Sequence, residues 1–257
     1  MTAREIVNII EKTAPPELAY SWDNSGFLCG DINRIVKSIY LTLDVNMYTV
    51  DEAVKAGADM IISHHPIMLG GIKNIDYSNP HGYVIKQLIE NNIALYAAHT
   101  SMDCAKNGIN HVLAQKLGIT DEDIMEKNES FPGCGLGLIG SVAPLTLREF
   151  AQRVKEALET PFVRICGDSD TVIKKAAVGS GSCGDLVPIA KKMGADVMVT
   201  SDIKYHLASD SVESGICLID AGHYPTEKFV TDIFAKLFEG YDVKLIISSA
   251  KDVFTLL

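Results

Sequence analysis

The chain has 257 residues, of which 47% are hydrophobic and 22% are charged. These values are typical of a globular protein and exclude an intrinsically disordered or fibrous chain. Lys and Arg number 23 against 33 Asp and Glu, which gives a formal net charge of −10. This acidic balance argues against nonspecific binding to nucleic acid or to an anionic membrane surface.

The N-terminal segment and the cysteines indicate the cellular compartment in which we expect the protein. The first residues run directly into an amphipathic helix, so we expect no signal peptide. No apolar run approaches the ~18–20 residues that a membrane span needs. The six cysteines are scattered without a C-x-x-C pair, which is typical neither of a zinc knuckle nor of a disulfide scaffold. We therefore expect a cytoplasmic protein with reduced thiols that does not bind membranes.

Hydrophobic periodicity predicts alternating helices and strands in the first half. Thr2 and Glu5 have the spacing of a capping box before a helix, which Pro15 and Pro16 should stop. Further along, we expect strands at 35–43, 60–63 and 93–98 and helices at 47–56, 79–92 and 107–117. Strands that alternate with helices predict a layered α/β domain.

The stretch 120–140 interrupts this alternation, because it is first acidic and then rich in Gly and Pro. We place a domain junction here and predict two α/β domains, residues 1–125 and 126–257. In the second half we expect helices at 147–159, 185–193 and 226–238 and strands at 162–165, 175–178, 197–200, 216–219 and 243–248.

The second half partly repeats the first. The segment Gly57–Ser63 (Gly-Ala-Asp-Met-Ile-Ile-Ser) matches Gly194–Thr200 (Gly-Ala-Asp-Val-Met-Val-Thr), and each follows a helix and opens a strand. Further on in each half, another strand leads into a His-x-x-x-acid segment. Gly-Ala-Asp before a strand is common, but two matches in the same order favour a duplicated α/β unit.

Two adjacent histidines follow the strand predicted at 60–63. His64 and His65 therefore lie at the carboxyl end of a strand, where α/β sheets commonly bind ligands. Neighbours on a strand point to opposite faces, so both rings reach one ligand only where the chain turns, as Pro66 indicates. A single histidine here would more simply be a hydrogen-bonded structural side chain, whereas two in succession favour metal ligation.

The two His-x-x-x-acid segments pair an imidazole with a carboxylate. His223 and Glu227 share one face if a helix begins at Pro225, although a surface ion pair is the alternative. His99 and Asp103 form the corresponding pair in the first half, and His99 could bind a metal ion or orient one of its ligands. Imidazole and carboxylate groups are standard ligands of divalent metal ions.

Together these segments supply more donors than one tetrahedral site needs. The five nitrogen and oxygen donors come from His64, His65, Asp103, His223 and Glu227. Two divalent ions ~3.5–4 Å apart, bridged by a carboxylate and water, would use all of them. Such a pair activates water, as hydrolases require. The donor set accepts zinc, iron, manganese or nickel.

One glycine-rich segment suggests a different function. Gly179–Gly184 fits G-x-G-x-x-G between a predicted strand and helix, and Asp202 lies further along, which is the layout of a dinucleotide fingerprint. However, Gly135–Gly140 fits the same pattern without a helix directly after it, and an NAD-linked oxidoreductase leaves the histidines without a role. NAD binding is therefore the weaker alternative. The Gly-Ser amides could instead hold a substrate phosphate at a helix start.

Six ordered motifs make the chain similar to the NIF3 family, also called the GTP cyclohydrolase I type 2 homologues. The motifs span nearly the whole chain and are Trp22–Gly30, Ile62–Pro66, Ala98–Asp103, Gly179–Ser182, Thr200–His206 and Asp220–Glu227. The resemblance implies a dinuclear metal site at the interface of two similar α/β domains. It implies as ligands His64, His65 and Asp103 from one half and His223 and Glu227 from the other. It also implies a homo-oligomer, commonly a hexameric ring.

Two positions depart from the family pattern. Ser201 stands where the family has Gly in Thr-Gly-Asp, and Leu138 stands where it has Arg, which puts an anion contact at that loop in doubt. The length matches the short form of the family, without an inserted domain. None of the five implied ligands is altered.

The resemblance implies a metal-dependent hydrolase of a nucleotide-like or phosphorylated small molecule, with GTP cyclohydrolase-like chemistry. His99 and His206 are candidate acid–base groups. Asp23 and Asp44 could line the site, although roles at a turn and a strand end are simpler. The alternative is a non-enzymatic metal-binding ring or a platform for partners.

Overall fold

The computed structural model describes residues 1–70 and 72–255. The chain forms two compact units, one made of Met1–Met102 with Val230–Leu257 and the other of Asp103–Phe229. Each unit has its own sheet and helices, so the prediction of an α/β protein is confirmed. These are units of spatial packing, and the chain-order domains 1–125 and 126–257 stay a prediction.

The first unit contains a five-stranded sheet in the order β1-β4-β3-β2-β11. Its strands are β1 (Gly26–Cys29), β2 (Ser38–Thr42), β3 (Met60–Ser63), β4 (Ala94–Ala97) and β11 (Lys244–Ile247). Strand β1 runs antiparallel to β4, and the other neighbours are parallel. The helices are α1 (Ala3–Glu11), α2 (Met47–Lys55), α3 (Pro80–Glu90), α4 (Thr100–Cys104), which leads into the second unit, and α10 (Val230–Leu237).

Local sequence signals account for these elements. Thr2 and Glu5 form the predicted capping box at the start of α1. Every residue of β2, β3 and β4 is buried, as expected for central strands of a parallel sheet with continuous apolar sequence. Apolar side chains of α2 and α3 pack against this sheet in one core cluster, which includes Val50, Val84 and Leu88.

The second unit contains a six-stranded sheet in the order β5-β6-β8-β9-β10-β7. Its strands are β5 (Thr120–Lys127), β6 (Gly135–Thr146), β7 (Arg164–Cys166), β8 (Val172–Val178), β9 (Val197–Thr200) and β10 (Cys217–Asp220). Strands β8, β9 and β10 are parallel, and the remaining pairs are antiparallel. The helices are α5 (Ile109–Leu117), α6 (Leu147–Ala157), α7 (Val187–Lys192), α8 (Tyr205–Ser214) and α9 (His223–Glu227).

The stretch 120–140 differs from its sequence-based interpretation, because most of it forms the antiparallel pair β5 and β6. Its acidic residues lie on the exposed edge strand β5. Its glycines permit close approach of the two backbones, since a Cβ atom on Gly140 would lie 2.3 Å from the carbonyl oxygen of Thr120. In this stretch, the acidic and glycine-rich composition therefore belongs to an antiparallel strand pair at the edge of the sheet.

Other local differences separate the structure from the sequence-based expectations. The helix expected at 226–238 is divided into α9 and α10, and Pro225 lies within α9. The short strand β1 was not predicted; it is a four-residue edge strand whose register with β4 shifts between Phe27 and Cys29. So short and irregular a strand gives little periodic signal.

The duplication predicted from Gly-Ala-Asp is confirmed by the strand order. The arrangement β1-β4-β3-β2 recurs as β7-β10-β9-β8, with the first pair antiparallel and the others parallel in both sheets. The Asp59 carboxylate accepts two backbone N–H groups at the start of the neighbouring strand β2. Asp196 accepts two such groups in β8. The motif therefore has the same structural role in both units.

No helix in the described part of the chain combines the length and apolar character needed to cross a bilayer.

Candidate metal centre

Three histidines of the first unit lie together beyond the carboxyl ends of two adjacent strands. His64 and His65 follow β3, and His99 follows β4. The His64 ring lies 5.0 Å from the His65 ring and 5.2 Å from the His99 ring, measured between centroids. One ring nitrogen of each histidine lies within 4.8 Å of the others, close enough to share a metal ion. The parallel register of β3 and β4 therefore brings His64 close to His99, which lies 35 positions further along the chain.

The Nδ1 atom of each of these histidines is already engaged. His64 Nδ1 lies 2.8 Å from the carbonyl oxygen of Ala98. His65 Nδ1 lies 2.7 Å from the Asp44 carboxylate, and His99 Nδ1 lies 2.8 Å from the Asp23 carboxylate. An acceptor at Nδ1 fixes the tautomer and the ring orientation and assigns metal binding to Nε2.

Asp23 is the most extensively hydrogen-bonded of these acceptors. Besides His99, its carboxylate accepts the backbone N–H and hydroxyl of Thr100 and the hydroxyl of Ser25. Burial alone would raise the pKa of Asp23, but the hydrogen bonds from His99, Thr100 and Ser25 outweigh it and hold the pKa well below its usual value. Asp23 is therefore ionised at neutral pH and holds the His99 ring in place.

The second unit contains a matching imidazole–carboxylate pair on α9. His223 Nε2 lies 3.0 Å from a Glu227 carboxylate oxygen, so the predicted i, i+4 spacing does place both side chains on one face. His223 Nδ1 lies 2.7 Å from the Asp202 carboxylate. Glu227 is 3% exposed. The same orienting device, a carboxylate at Nδ1, thus occurs in both units.

Asp103 is buried, and the Ser180 hydroxyl donates a hydrogen bond to its carboxylate at 3.0 Å. Asn110 links the two segments, because its amide donates to the Asp103 carbonyl and accepts from the Ser180 N–H group. The glycine-rich loop therefore supports Asp103 within the second unit.

The next residue of that loop, Gly181, lies directly beside the α9 pair. A Cβ atom at this position would lie 2.1 Å from a Glu227 carboxylate oxygen and 3.1 Å from His223 Nε2. Its φ of +59° is also unfavourable for residues with side chains. Only a residue without a Cβ atom therefore allows the Glu227 carboxylate and the His223 ring to lie this close to the loop backbone.

The contacts of this loop favour support of the acidic residues over binding of a dinucleotide. The Gly181 N–H group donates to the Thr226 hydroxyl, and the Cys183 N–H group donates to the Thr200 hydroxyl. These amides are thus engaged within the unit rather than directed at a phosphate. NAD binding and the phosphate-binding role gain no support from this arrangement.

Cys183 adds a thiol that sequence analysis did not assign. Burial raises its pKa well above the usual value, and the charges of Asp103 and Glu227 raise it further. The Cys183 sulfur donates to the Ser180 carbonyl oxygen at 3.1 Å. The thiol is therefore protonated at neutral pH and packs as a small side chain beneath the loop.

His206 stands apart from these groups. It is exposed near the start of α8, and its ring contacts Tyr205 with centroids 5.6 Å apart. Among the described residues, it belongs to none of the clusters of His, Cys, Asp and Glu side chains that are close enough to share a metal ion. The acid–base role of His206 stays a prediction.

Sequence analysis underestimated the carboxylates that orient the histidines. Asp23, Asp44 and Asp202 looked like turn, strand-end and motif residues, but each accepts from a histidine Nδ1. Their partners lie 76, 21 and 21 residues away, so linear spacing does not reveal the pairs. The signal that could have found these pairs is positional. Each aspartate lies just outside one end of a strand, and the neighbouring strand in the sheet is followed by the histidine.

The donors present fit a divalent metal ion. The first unit supplies imidazoles held at Nδ1, and the second unit supplies an imidazole held at Nδ1 together with buried carboxylates. Each of these sets has the features of metal ligands. Nitrogen and oxygen donors without a cysteine thiolate suit zinc, iron, manganese or nickel.

Comparison with known proteins identifies relatives of this chain. The family model of Duf34/NIF3 (NGG1p interacting factor 3) matches residues 1–252. A protein named GTP cyclohydrolase 1 type 2 homolog from Clostridium acetobutylicum is 37% identical, over 93% of this chain and 90% of its own length. The protein of the same name from Clostridium perfringens is 36% identical, over 99% of both chains.

Solved structures show the same fold. The crystal structure of Staphylococcus aureus protein SA1388 matches with a TM-score of 0.92 and 28% identity, over 100% of this chain and 99% of that chain. A Bacillus cereus protein related to NIF3 matches with a TM-score of 0.91 and 25% identity over the same shares.

Proposed function

This chain belongs to the Duf34/NIF3 family, and on that premise we propose that it is a metal-dependent hydrolase of a nucleotide-like or phosphorylated small molecule. The proposed ligands of two divalent metal ions are His64, His65, Asp103, His223 and Glu227. The central supporting observation is that each histidine in this set has its Nδ1 atom beside a carboxylate or carbonyl oxygen. Structural histidines need no such common arrangement, whereas metal ligands do.

The number of donors supports two ions rather than one. Three imidazoles and two carboxylates exceed what one tetrahedral site uses, and a carboxylate can bridge two ions. When bound, such ions lower the pKa of a water ligand and polarise the oxygen that is attacked. A structural zinc site would more commonly include cysteine thiolates.

His99 is the proposed acid–base group of this site. Its Nδ1 atom lies 2.8 Å from the Asp23 carboxylate, which leaves Nε2 as the atom that gives or takes a proton. Its ring lies beside those of His64 and His65, so a proton held there is next to the proposed ligands. His206 is the second candidate for this role.

The substrate class follows from the relatives' names. These proteins are named as homologues of GTP cyclohydrolase 1 type 2, which suggests hydrolytic opening of a purine ring. We therefore propose a nucleotide such as GTP as the first compound to test. The competing proposal is a metal-binding protein without turnover that serves as a platform for partners.

Self-association is a further part of the proposal, since the family resemblance implies a homohexamer. Light scattering coupled to size-exclusion chromatography would measure the mass of the purified protein. A mass near six chains supports the hexamer, and a monomer at working concentration contradicts it.

Elemental analysis paired with a substrate screen tests the hydrolase. The purified protein would be analysed for bound metals and screened against nucleotides and phosphoesters with and without a chelator. We expect two ions per chain and hydrolysis that the chelator abolishes. His64→Ala and Glu227→Ala should remove both, whereas His81→Ala, an exposed histidine outside the cluster, should remove neither.

Each alternative has a distinct outcome. Bound metal without turnover of any compound would contradict the hydrolase and favour the platform. A retained dinucleotide, together with activity indifferent to the chelator, would instead favour the NAD-linked alternative.

A further inference from the structure

An exposed aromatic pair lies beside the histidine cluster of the first unit. The rings of Tyr20 and Trp22 are stacked, with centroids 5.8 Å apart and planes inclined by 14°. Trp22 also meets the His99 ring edge to face, at 6.0 Å between centroids. Trp22 is the one tryptophan of the chain, and it is 55% exposed despite these ring contacts. A large apolar ring thus remains in contact with solvent next to a prepared polar site.

The turn that carries Trp22 is held firmly. The Asp23 N–H group donates to the Tyr20 carbonyl oxygen at 2.9 Å and closes the turn. The Tyr20 N–H group donates to the Thr100 hydroxyl, and the Thr100 N–H group donates to the Asp23 carboxylate. These bonds tie the turn to the start of α4. A ring held in this way loses little conformational entropy when a ligand binds to it.

The rings form a continuous row that ends at the proposed metal ligands. Trp22 contacts His99, and the His99 ring lies 5.2 Å from His64 and 5.4 Å from His65 between centroids. A flat ligand stacked on the indole would therefore have one edge beside His99, which itself lies next to the proposed metal ligands His64 and His65. An anionic ligand without a ring, such as a sugar phosphate, would gain little from such a row, whereas a π-system gains stacking energy.

We propose that Trp22 is the stacking platform for a planar heteroaromatic ring of the substrate, of purine size, and that Tyr20 and His99 hold the indole in position. This inference rests on the proposed function, since it supplies the binding site for the base of a nucleotide-like substrate. It also defines a specificity: compounds with a fused heteroaromatic ring bind, and the same sugar phosphates without the ring do not.

Tryptophan fluorescence tests the platform directly, because Trp22 is the one tryptophan of the chain and excitation at the long-wavelength edge of indole absorption avoids the tyrosines. The protein would be titrated with guanosine 5′-monophosphate and, in parallel, with ribose 5-phosphate, in both metal-loaded and chelator-treated forms. We expect saturable quenching by the nucleotide and none by the sugar phosphate. Absence of saturable quenching by the nucleotide, or equal quenching by both compounds, would overturn the proposal.

Substitutions separate stacking from a structural effect. By equilibrium dialysis with guanosine 5′-monophosphate, Trp22→Ala should weaken binding about tenfold or more, and Trp22→Phe should weaken it less. Tyr77→Ala removes a ring of matched exposure, 57%, on another loop and should leave binding unchanged. Equal affinity of Trp22→Ala and the wild-type protein would contradict the proposal.

Failure of this inference can be told from failure of the proposed function. Elemental analysis of the same samples reports on the metal site, so intact metal content without base binding contradicts the platform alone. Base binding by protein that contains no metal before any chelator is added contradicts the hydrolase alone. A fall in molecular mass for Trp22→Ala would assign the indole to a contact between copies and overturn the platform.

Discussion

The Nδ1 atom of His65 lies 2.7 Å from a carboxylate oxygen of Asp44. Asp44 lies just beyond the end of β2 and His65 just beyond the end of β3, and these two strands are parallel neighbours. The pair therefore exists because the sheet register aligns two strand ends. A carboxylate in this position raises the basicity of the imidazole and keeps Nε2 directed at a metal ion.

Loss of the Asp44 carboxylate should weaken metal binding without unfolding the protein. For Asp44→Ala we expect metal affinity to fall about 10- to 100-fold, the usual effect of removing such a partner. Asp44→Asn keeps an acceptor at the same place, so its metal affinity should lie between those of Asp44→Ala and the wild-type protein. Competition with a chromogenic chelator measures the affinity. Asp210→Ala, an exposed carboxylate on α8, is the control, and an equal loss in it would contradict the assigned role.

Asp202 should act on His223 in the same manner, but its backbone complicates the test. Its φ is +55°, a conformation that disfavours most side chains. Asp202→Gly removes the carboxylate and tolerates this backbone, so metal affinity should fall about tenfold or more with the melting temperature retained. Asp202→Ala should in addition lose about 1 kcal/mol of unfolding free energy. Unchanged affinity in Asp202→Gly would show that the hydrogen bond to His223 is dispensable.

A side chain at Gly181 should displace the Glu227 carboxylate. The added Cβ of Gly181→Ala would lie 2.1 Å from a Glu227 oxygen, so metal affinity should fall at least tenfold. Gly215→Ala is a matched control, because its φ of +83° imposes similar backbone strain with nothing within 4 Å of the new Cβ. Both variants should lose about 1–2 kcal/mol of stability by urea unfolding. Only Gly181→Ala should lose metal, and equal metal binding by both would be inconsistent with the proposed site.

Asp23 should make stability depend on pH in the acidic range. Its native pKa is held below its usual value despite burial, so its contribution is complete above the unfolded-state pKa of about 3.9. The contribution is lost as the pH falls from there through the native pKa. In urea unfolding with a chelator present, wild type should exceed Asp23→Asn by about 2 kcal/mol at pH 6, and the gap should shrink below about pH 4. A gap that is constant down to pH 3 would contradict this assignment.

Local signals predicted much of the fold. The capping box of Thr2 and Glu5, the continuously apolar strands and the repeated Gly-Ala-Asp all depend on neighbours in the chain, and the structure confirms them. The antiparallel pair β5 and β6 was missed because its glycines serve close backbone approach rather than a linker. Composition alone does not distinguish these two uses of glycine.

Some residues of the candidate site could likewise be predicted from the sequence, and others could not. Residue type and short spacing identified His64 with His65 and His223 with Glu227, because each pair lies within one strand end or one helical turn. The acceptors at their Nδ1 atoms come from other strands, and only sheet register brings them close. The residues that orient the proposed metal ligands are therefore harder to predict from sequence than the ligands themselves.

Anomalous X-ray diffraction from metal-soaked crystals, recorded on both sides of the metal absorption edge, tests the central claim most directly. The account predicts two anomalous peaks per chain, bounded together by His64, His65, Asp103, His223 and Glu227. No peak at these side chains in crystals soaked with zinc, iron, manganese or nickel would contradict it, as would a peak coordinated by other residues.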